Sequence, residues 1–456
     1  MYPIRKNSSQ KRKAVDMLSG SMADKILMFA LPLALGSILQ QLFNAVDVAV
    51  VGRFASSQAL AAVGANTPVV ALLINLFVGI SVGRNVVIAN QIGRRQMEKI
   101  QDTIHTSVLI ALGSGFFLMI LGILVAGPLL RMMSTPDDVI ALAEVYLRIY
   151  CVGMPFIMIY NFGAAILRSS GDTKRPLLCL IVSGIINALL NLFFVAFCHM
   201  AVSGVAVATV ISNAVSACMV TYFLTVADEP VRLKREGTWF HPHQLKRILL
   251  IGIPAGLQGF VFSIYNVCIQ AAINGFGSAV VAGASVAQNF EYITYYAVSG
   301  FNAAVMTFIS QNYGAHNIKR CQRAFRISMA YSVGACIVMN FLFYAGKHSL
   351  ITMFTTDATV ADFAFQRMKY VLLLQFLICL YEISGSALRG YGYSMTPALL
   401  TVIGTCVIRI IWVNTVSVKF HTFFALMAVY PFTWIVTGSM VLAAYLRVHK
   451  KIKAMQ

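Results

Sequence analysis

The sequence predicts an all-α polytopic membrane protein. Twelve transmembrane helices form two six-helix repeats around a central cavity. Three observations carry this. The first is composition: of 456 residues, 59% are hydrophobic and only 11% charged, with a mean hydropathy of +0.77. A soluble chain carries about 25% charged residues. The second is run length. Apolar stretches of about twenty residues recur, the span of a bilayer-crossing helix, where a β-barrel would alternate in segments of about ten. The third is an internal repeat at an offset of 221 residues.

Taken in order, residues 1–24 form a polar tail containing Arg5, Lys6, Lys11, Arg12 and Lys13. Spans follow near 26–51, 59–82, 104–130, 139–167, 177–198 and 203–226. A polar linker, 227–247, holds Asp228, Glu229, Pro230, Arg232, Lys234, Arg235 and Glu236. Six more spans lie near 248–274, 280–308, 326–354, 361–388, 398–416 and 422–446. The expected organisation is a tail (1–24), an N-lobe (25–226), the linker (227–247), a C-lobe (248–446) and a C-terminal tail (447–456). The first apolar run is too long for the core of a signal peptide and lacks a convincing cleavage site, so it is expected to be retained.

Orientation follows from Lys and Arg near the span ends. One face collects 27 of the 35: both tails, 84–99, 168–175, 232–247, 319–326 and Arg389. The other collects Arg53, Arg131, Lys347 and Lys419. Arg148, Arg367, Lys369 and Arg409 lie within or at the edges of spans. Both termini and the linker are therefore expected in the cytoplasm of a multi-pass protein of the cell (inner or plasma) membrane. This basic face accounts for the net charge of +19 without nucleic acid and suits anionic lipid headgroups. Seven of nine cysteines (Cys151, Cys179, Cys218, Cys268, Cys336, Cys379, Cys406) lie inside apolar runs, and no C-x-x-C pair occurs. They read as reduced core residues, not disulfides or a metal site.

The repeat is concrete. Leu167-Arg168-x-x-Gly171-x-x-x-x-Pro176 recurs as Leu388-Arg389-x-x-Gly392-x-x-x-x-Pro397, and Gly93 recurs as Gly314. Pro32 in the first span matches Pro254 in the seventh. Parallel six-span repeats place a cavity on an axis along the membrane normal, an alternating-access design. The two prolines are candidate hinges.

Chemistry concentrates in the first span. Ser37, Gln40, Gln41, Asn44 and Asp47 fall on one helical face. A carboxylate at mid-bilayer costs about 3 kcal/mol on insertion scales, so its retention points to ion or substrate movement. Asn161, Asn187, Asn191 and Thr209 also sit deep in apolar spans, with Asn187 and Asn191 one turn apart. Carboxylate, amide and hydroxyl groups suit a small hard cation or a proton, or tie helices together by hydrogen bonds. In the second half, Gln288, Glu291, Tyr295, Ser299 and Asn302 share a face of the eighth span, and Glu382 corresponds to Asn161 at the repeat offset. The seventh span repeats the proline but not the acid, since position 269 is Ile. Gln40, Asn44, Gln288, Glu291, Tyr295 and Glu382 are candidate cavity residues. Arg389 is a candidate partner for Glu382. Arg409 is deep enough to neutralise Glu382 or Glu291, or to snorkel.

Several pieces, in order, resemble one family. They are 29–53 (F-A-L-P-L-A-L-G-S-I-L-Q-Q-L-F-N-A-V-D with V-V-G-R following), 59–64, 167–176, 185–191, 308–315 and 387–392. The chain resembles the multidrug and toxic compound extrusion (MATE) transporters over essentially its whole length. The resemblance implies a V-shaped pair of lobes. It implies a secondary antiporter exporting cationic, amphipathic compounds in exchange for Na⁺ or H⁺, with no other cofactor. It places Asp47, Asn161, Asn187, Asn191 and Thr209 in an N-lobe ion or proton site, with Asp47 the one carboxylate able to hold Na⁺. Many relatives carry a second Asp where this chain has Asn191, which favours the proton. Small organic cations and membrane lipids are the expected partners of a monomer.

No G-x-x-x-x-G-K-[ST], H-E-x-x-H or G-x-S-x-G occurs, so neither direct ATP drive nor an intramembrane enzyme is expected. The nearer alternative is a lipid-linked sugar or polysaccharide flippase of the same superfamily. Those proteins often add spans or line the cavity with several Arg, whereas only Arg409 lies deep here. A channel is the third alternative.

Overall fold

The computed structural model describes residues 14–133, 135–234 and 236–455. Arg5, Lys6, Lys11, Arg12, Lys13 and Arg235 of the predicted basic segments lie outside the described residues. Among the described residues every regular element is helical. The helices of the first half are α1 (Met22–Phe54), α2 (Ser57–Gly93), α3 (Met97–Met132), α4, α5 (Lys174–Phe197) and α6 (Ala201–Thr225). Of these, α4 is built of Asp137–Val152 and Met154–Ser169 with a 47° bend between them. The second half holds α7 (Pro242–Asn274), α8 (Ser278–Gly314), α9 (Ile318–Ala345), α10 (Ala358–Gly390), α11 (Met395–Phe420) and α12 (Phe423–Ala454).

Ten of these are long and apolar enough to cross a membrane, and bent α4 makes an eleventh. The twelfth, α8, is equally long but more polar. Its Glu291, Thr294, Gln311 and Asn312 are buried against protein and need not face lipid. The chain is thus a multi-pass membrane protein. Several helices outrun the apolar segments that announce them. α2 continues to Gly93 and α3 begins at Met97, beyond the predicted limits at 82 and 104. Hydrophobicity marks the bilayer-crossing part, while backbone hydrogen bonding continues into polar turns past it.

The repeat is visible in the backbone. α1 and α7 are both 33 residues, α2 and α8 both 37. Left-handed residues close the same turns: Arg95 and His316 both at φ 58°, Gly171 at 97° and Gly392 at 94°. The halves meet in a reciprocal contact. A methyl on Gly93 would sit 2.0 Å from the Gln311 carbonyl oxygen, and one on Gly314 would sit 2.2 Å from that of Asn90. Positions 90 and 311 are related by the same offset as 93 and 314, so the contact has pseudo-two-fold symmetry. Nearer the middle, Gly79 packs so closely on Gly256 that a methyl would lie 2.1 Å from its backbone nitrogen. Small residues allow this approach between membrane helices.

Hydrogen bonds between the halves run from the middle to the basic end. Tyr296 donates to Gln41 (3.2 Å) and Asn75 to Ser263 (2.9 Å) near mid-helix. Asn85 donates to Thr307 (3.0 Å), and Ser310 to the Val86 carbonyl (2.7 Å), further toward that end. The N-terminal segment straps across the same end: Val15 N–H reaches the Gly171 carbonyl, while Arg320 and Asn312 both reach that of Met17. The linker is docked on α3, with Gln101 donating to the Pro230 and Arg232 carbonyls and His105 stacked on Trp239. α1 and α7 run unbroken through Pro32 and Pro254.

Candidate functional site

Asp47 sits on α1 where that helix packs against α5. Gly184 of α5 lets them close, since a methyl there would collide with the Phe43 ring one turn before Asp47. From the carboxylate a hydrogen-bonded chain runs inward. Asn191 Nδ2 donates to Asp47 Oδ1 (2.5 Å) and lies 3.2 Å from Asn187 Oδ1. Asn187 Nδ2 donates to Thr209 Oγ1 (3.4 Å), and the Thr209 hydroxyl closes onto the Val205 carbonyl (2.9 Å). Asn191 Oδ1 is buried without a partner. Among the described residues no basic side chain pairs with Asp47. The α-helix gives way to a π turn at Leu192–Phe197, immediately after Asn191. Such turns recur at functional sites.

Beside this chain lies a cavity of about 380 Å³, lined by Pro32, Ser37, Gln40, Tyr150, Asn161 and Arg168 and closed by Ser299 and Ala303 of α8. Tyr146 and Tyr150 stack at 5.9 Å. Tyr150 lines the cavity. Asn161 faces the cavity but bonds its own helix at the Ile157 carbonyl (2.9 Å), so its side chain is no part of the Asp47 chain.

A second cavity, about 240 Å³, lies within the other half. Its walls are aromatic: Phe262, Tyr265, Tyr292, Tyr295, Tyr381, Tyr430 and Trp434. Four charges reach it. Glu291 is held by Arg367, Nε to Oε1 at 2.7 Å and Nη2 to Oε2 at 2.9 Å. Glu382 accepts from Asn302 Nδ2 (2.9 Å), with the Tyr295 hydroxyl at 3.5 Å, the limit of a hydrogen bond. Arg409 donates from Nε to Thr433 (2.9 Å) and from Nη1 to the Tyr265 hydroxyl (2.8 Å). Its guanidinium lies 5.1 Å from the Tyr265 ring centroid and 4.5 Å from that of Tyr430. π turns adjoin both arginines, at Met368–Leu372 and Val402–Val407.

The structure divides what the sequence grouped. Asp47, Asn187, Asn191 and Thr209 come together. Asn161 and Gln40 line the first cavity, whereas Gln288, Glu291, Tyr295 and Glu382 line the second. Asn44 is exposed and lines neither cavity, although it shares the helical stripe of Gln40 and Asp47. The expected partners also change. Among the described residues Arg409 forms no ion pair with a carboxylate, and Arg389 hydrogen-bonds Gln258 (2.5 Å) while acting on Glu382 through its charge alone. Sequence reasoning missed Arg367 as the counter-ion of Glu291. The available signal was a buried acid needing a base, with Arg367 among the few basic residues inside a span. It also missed Tyr146 and Tyr150, which carry no signal distinct from other span aromatics. Among the described residues no cluster of His, Cys, Asp and Glu could hold a metal.

The MatE family model matches residues 32–193 and again 254–413, once in each half. The probable multidrug resistance protein YpnP of Bacillus subtilis is 26% identical over 399 residues, covering 87% of this chain and 89% of that protein. The probable multidrug resistance protein NorM of Thermotoga maritima is 26% identical over 404 residues, covering 87% and 84%. A solved MOP superfamily transporter from Pyrococcus furiosus superposes with a TM-score of 0.90 at 22% identity, covering 98% of this chain and all of that one.

Proposed function

A chain that matches the MatE model in both halves belongs to that family, and on that premise we propose a secondary antiporter that exports cationic, amphipathic drugs or metabolites by alternating access. The observation that carries the reading is the Asp47–Asn191–Asn187–Thr209 chain. A carboxylate with no basic partner among the described residues, held by one amide of a hydrogen-bonded chain inside a helical bundle, is a reversible site for a small cation. One carboxylate suits H⁺ better than Na⁺, which calls for several oxygen ligands.

In the proposed cycle, the outward-open state takes up H⁺ at Asp47. Protonation removes the Asp47 charge and with it part of the attraction for a cationic drug in the first cavity. The Asn85–Thr307 and Ser310–Val86 contacts tie the halves together toward the basic end, which favours the outward-open reading. The inward-open state needs them broken. Glu382, in no direct ion pair among the described residues, is the acid available to balance a cationic substrate, and the aromatic wall adds cation–π contacts of about 1–2 kcal/mol when desolvated. The protein acts as a monomer in the cell membrane, with its termini in the cytoplasm and its basic face on anionic lipid.

The test is dye export by the purified protein in proteoliposomes under separately imposed pH and Na⁺ gradients. Acceleration by the pH gradient supports the reading. No response to either gradient sinks it.

A further inference from the structure

The geometry points to an anion site at the inner end of the first cavity, where Arg168 takes a small, carboxylate-sized oxyanion as a co-ligand separate from the exported drug. This rests on the transporter reading above and adds to it a second occupant of opposite charge.

The internal repeat exposes the site. In the second half Arg389 has two anchors: it hydrogen-bonds Gln258 and acts through its charge on Glu382. The offset of 221 carries Tyr381, Glu382 and Arg389 onto Tyr160, Asn161 and Arg168. The glutamate is therefore an amide in the first half. The proline register, Pro254 onto Pro32, carries Gln258 onto Gly36. Arg168 has thus lost both anchors. Gly36 and Asn161 line the cavity of about 380 Å³, and Arg168 is the one charged side chain on that lining among the described residues.

A second cation deepens the deficit. Arg84 of α2 is fully buried, its guanidinium 4.3 Å from the Phe162 ring centroid. Its Nη2 reaches only the backbone carbonyls of Ser81 (3.4 Å) and Asn161 (3.3 Å), while Nε and Nη1 have no partner. The charges of Arg84 and Arg168 act on each other. Position 305, which the repeat sets against Arg84, is Val, so the second half carries no such charge. Among the described residues neither arginine forms an ion pair; Asp172, in the turn after Arg168, takes Arg175 (3.4 Å). Buried charge without a counter-ion is costly.

The nitrogens of Arg84 are sealed, but those of Arg168 are not, and Arg168 is half-buried on the cavity wall. A guanidinium takes a planar carboxylate through charge-assisted hydrogen bonds. Asn213 of α6 lines the same cavity, and its side-chain amide takes no partner among the described residues. A cationic drug entering this cavity meets an unneutralised guanidinium. A bound oxyanion removes that repulsion.

The test measures binding of a cationic dye to the purified full-length protein by fluorescence anisotropy, at constant ionic strength, with added acetate or its neutral isostere acetamide. Acetate is expected to tighten dye binding to wild type by about tenfold, the scale of one neutralised charge in a partly dry cavity. Acetamide is expected to leave it unchanged. Arg168→Gln should bind dye tightly without acetate and gain nothing from it. Asn161→Glu, which copies Glu382 of the other half, should supply the missing carboxylate and behave the same way.

Equal effects of acetate and acetamide on wild type overturn the inference. So does acetate that weakens dye binding, because the carboxylate would then compete with the drug instead of accompanying it. An acetate response that persists in Arg168→Gln counts against the site as well. If Arg168→Gln does not fold, Asn161→Glu decides: an undiminished acetate response there contradicts the site. These are equilibrium measurements without a gradient, so each of these failures leaves the antiporter reading standing. A dye that binds under no condition would remove that reading and this site with it.

Discussion

Arg367 and Glu291 meet edge to edge inside the second half, two hydrogen bonds at 2.7 and 2.9 Å joining α10 to α8. The arginine is 1% exposed and the glutamate side chain 11%. Such a pair stabilises less through its own attraction than through the harm of breaking it. Removing one partner leaves a buried charge, a loss of about 3–5 kcal/mol. Arg367→Met should therefore lower the thermal unfolding midpoint sharply in detergent. The double variant Arg367→Met with Glu291→Gln should recover most of the loss. A double variant no more stable than the single would mean the two do not act as a pair.

Asn85 and Thr307 hydrogen-bond across the halves at the basic end. If that end opens during transport, tying it shut should stop the cycle. Replacing both with cysteine, in a background where exposed Cys198, Cys218 and Cys268 are serine, should give a protein inactivated by oxidation and revived by reductant. Full transport with the disulfide formed would rule out opening between these helices.

Cys198 is exposed at the end of α5 opposite Lys174. The charge asymmetry places it outside. A membrane-impermeant maleimide should label it in intact cells, and Cys198→Ser should remove that label. Protection in intact cells, with labelling only after lysis, would reverse the orientation.

The fold was legible because its cause is local in sequence. Apolar run length and the bias of Lys and Arg gave twelve spans, and the Arg168/Arg389 and Gly93/Gly314 matches gave two copies. The hydrogen-bonded chain was partly legible, since Asn187 and Asn191 lie one turn apart and Asp47 is conspicuous in lipid. Which polar residues meet was not. Asn161 and Asn191 look alike as deep amides, yet only helix rotation decides that one faces Asp47 and the other a cavity. Nor did spacing reveal that Arg367, 76 residues from Glu291, would take it rather than Arg409. The terminal turns of α2, α3 and α8 at the basic end were missed because hydropathy falls off before helical hydrogen bonding ends.

Asn191 holds Asp47 through a single amide donor. Asn191→Leu keeps the branched shape, at a somewhat larger volume, but leaves the carboxylate without that donor. A hydrogen bond to a charged group contributes about 1.5–3 kcal/mol, so gradient-driven export should fall by about tenfold or more at unchanged protein level. Asn161→Leu, outside the chain, should alter dye affinity more than gradient response. Equal effects of the two on the gradient response would show that the chain has no special role.

The most direct measurement compares wild type and Asp47→Asn in proteoliposomes, recording dye export with and without an imposed pH gradient. The substitution preserves shape and removes the titrating group. The account predicts that acceleration by the gradient disappears while the dye still binds. A variant that exports dye as fast as wild type under the gradient would contradict it.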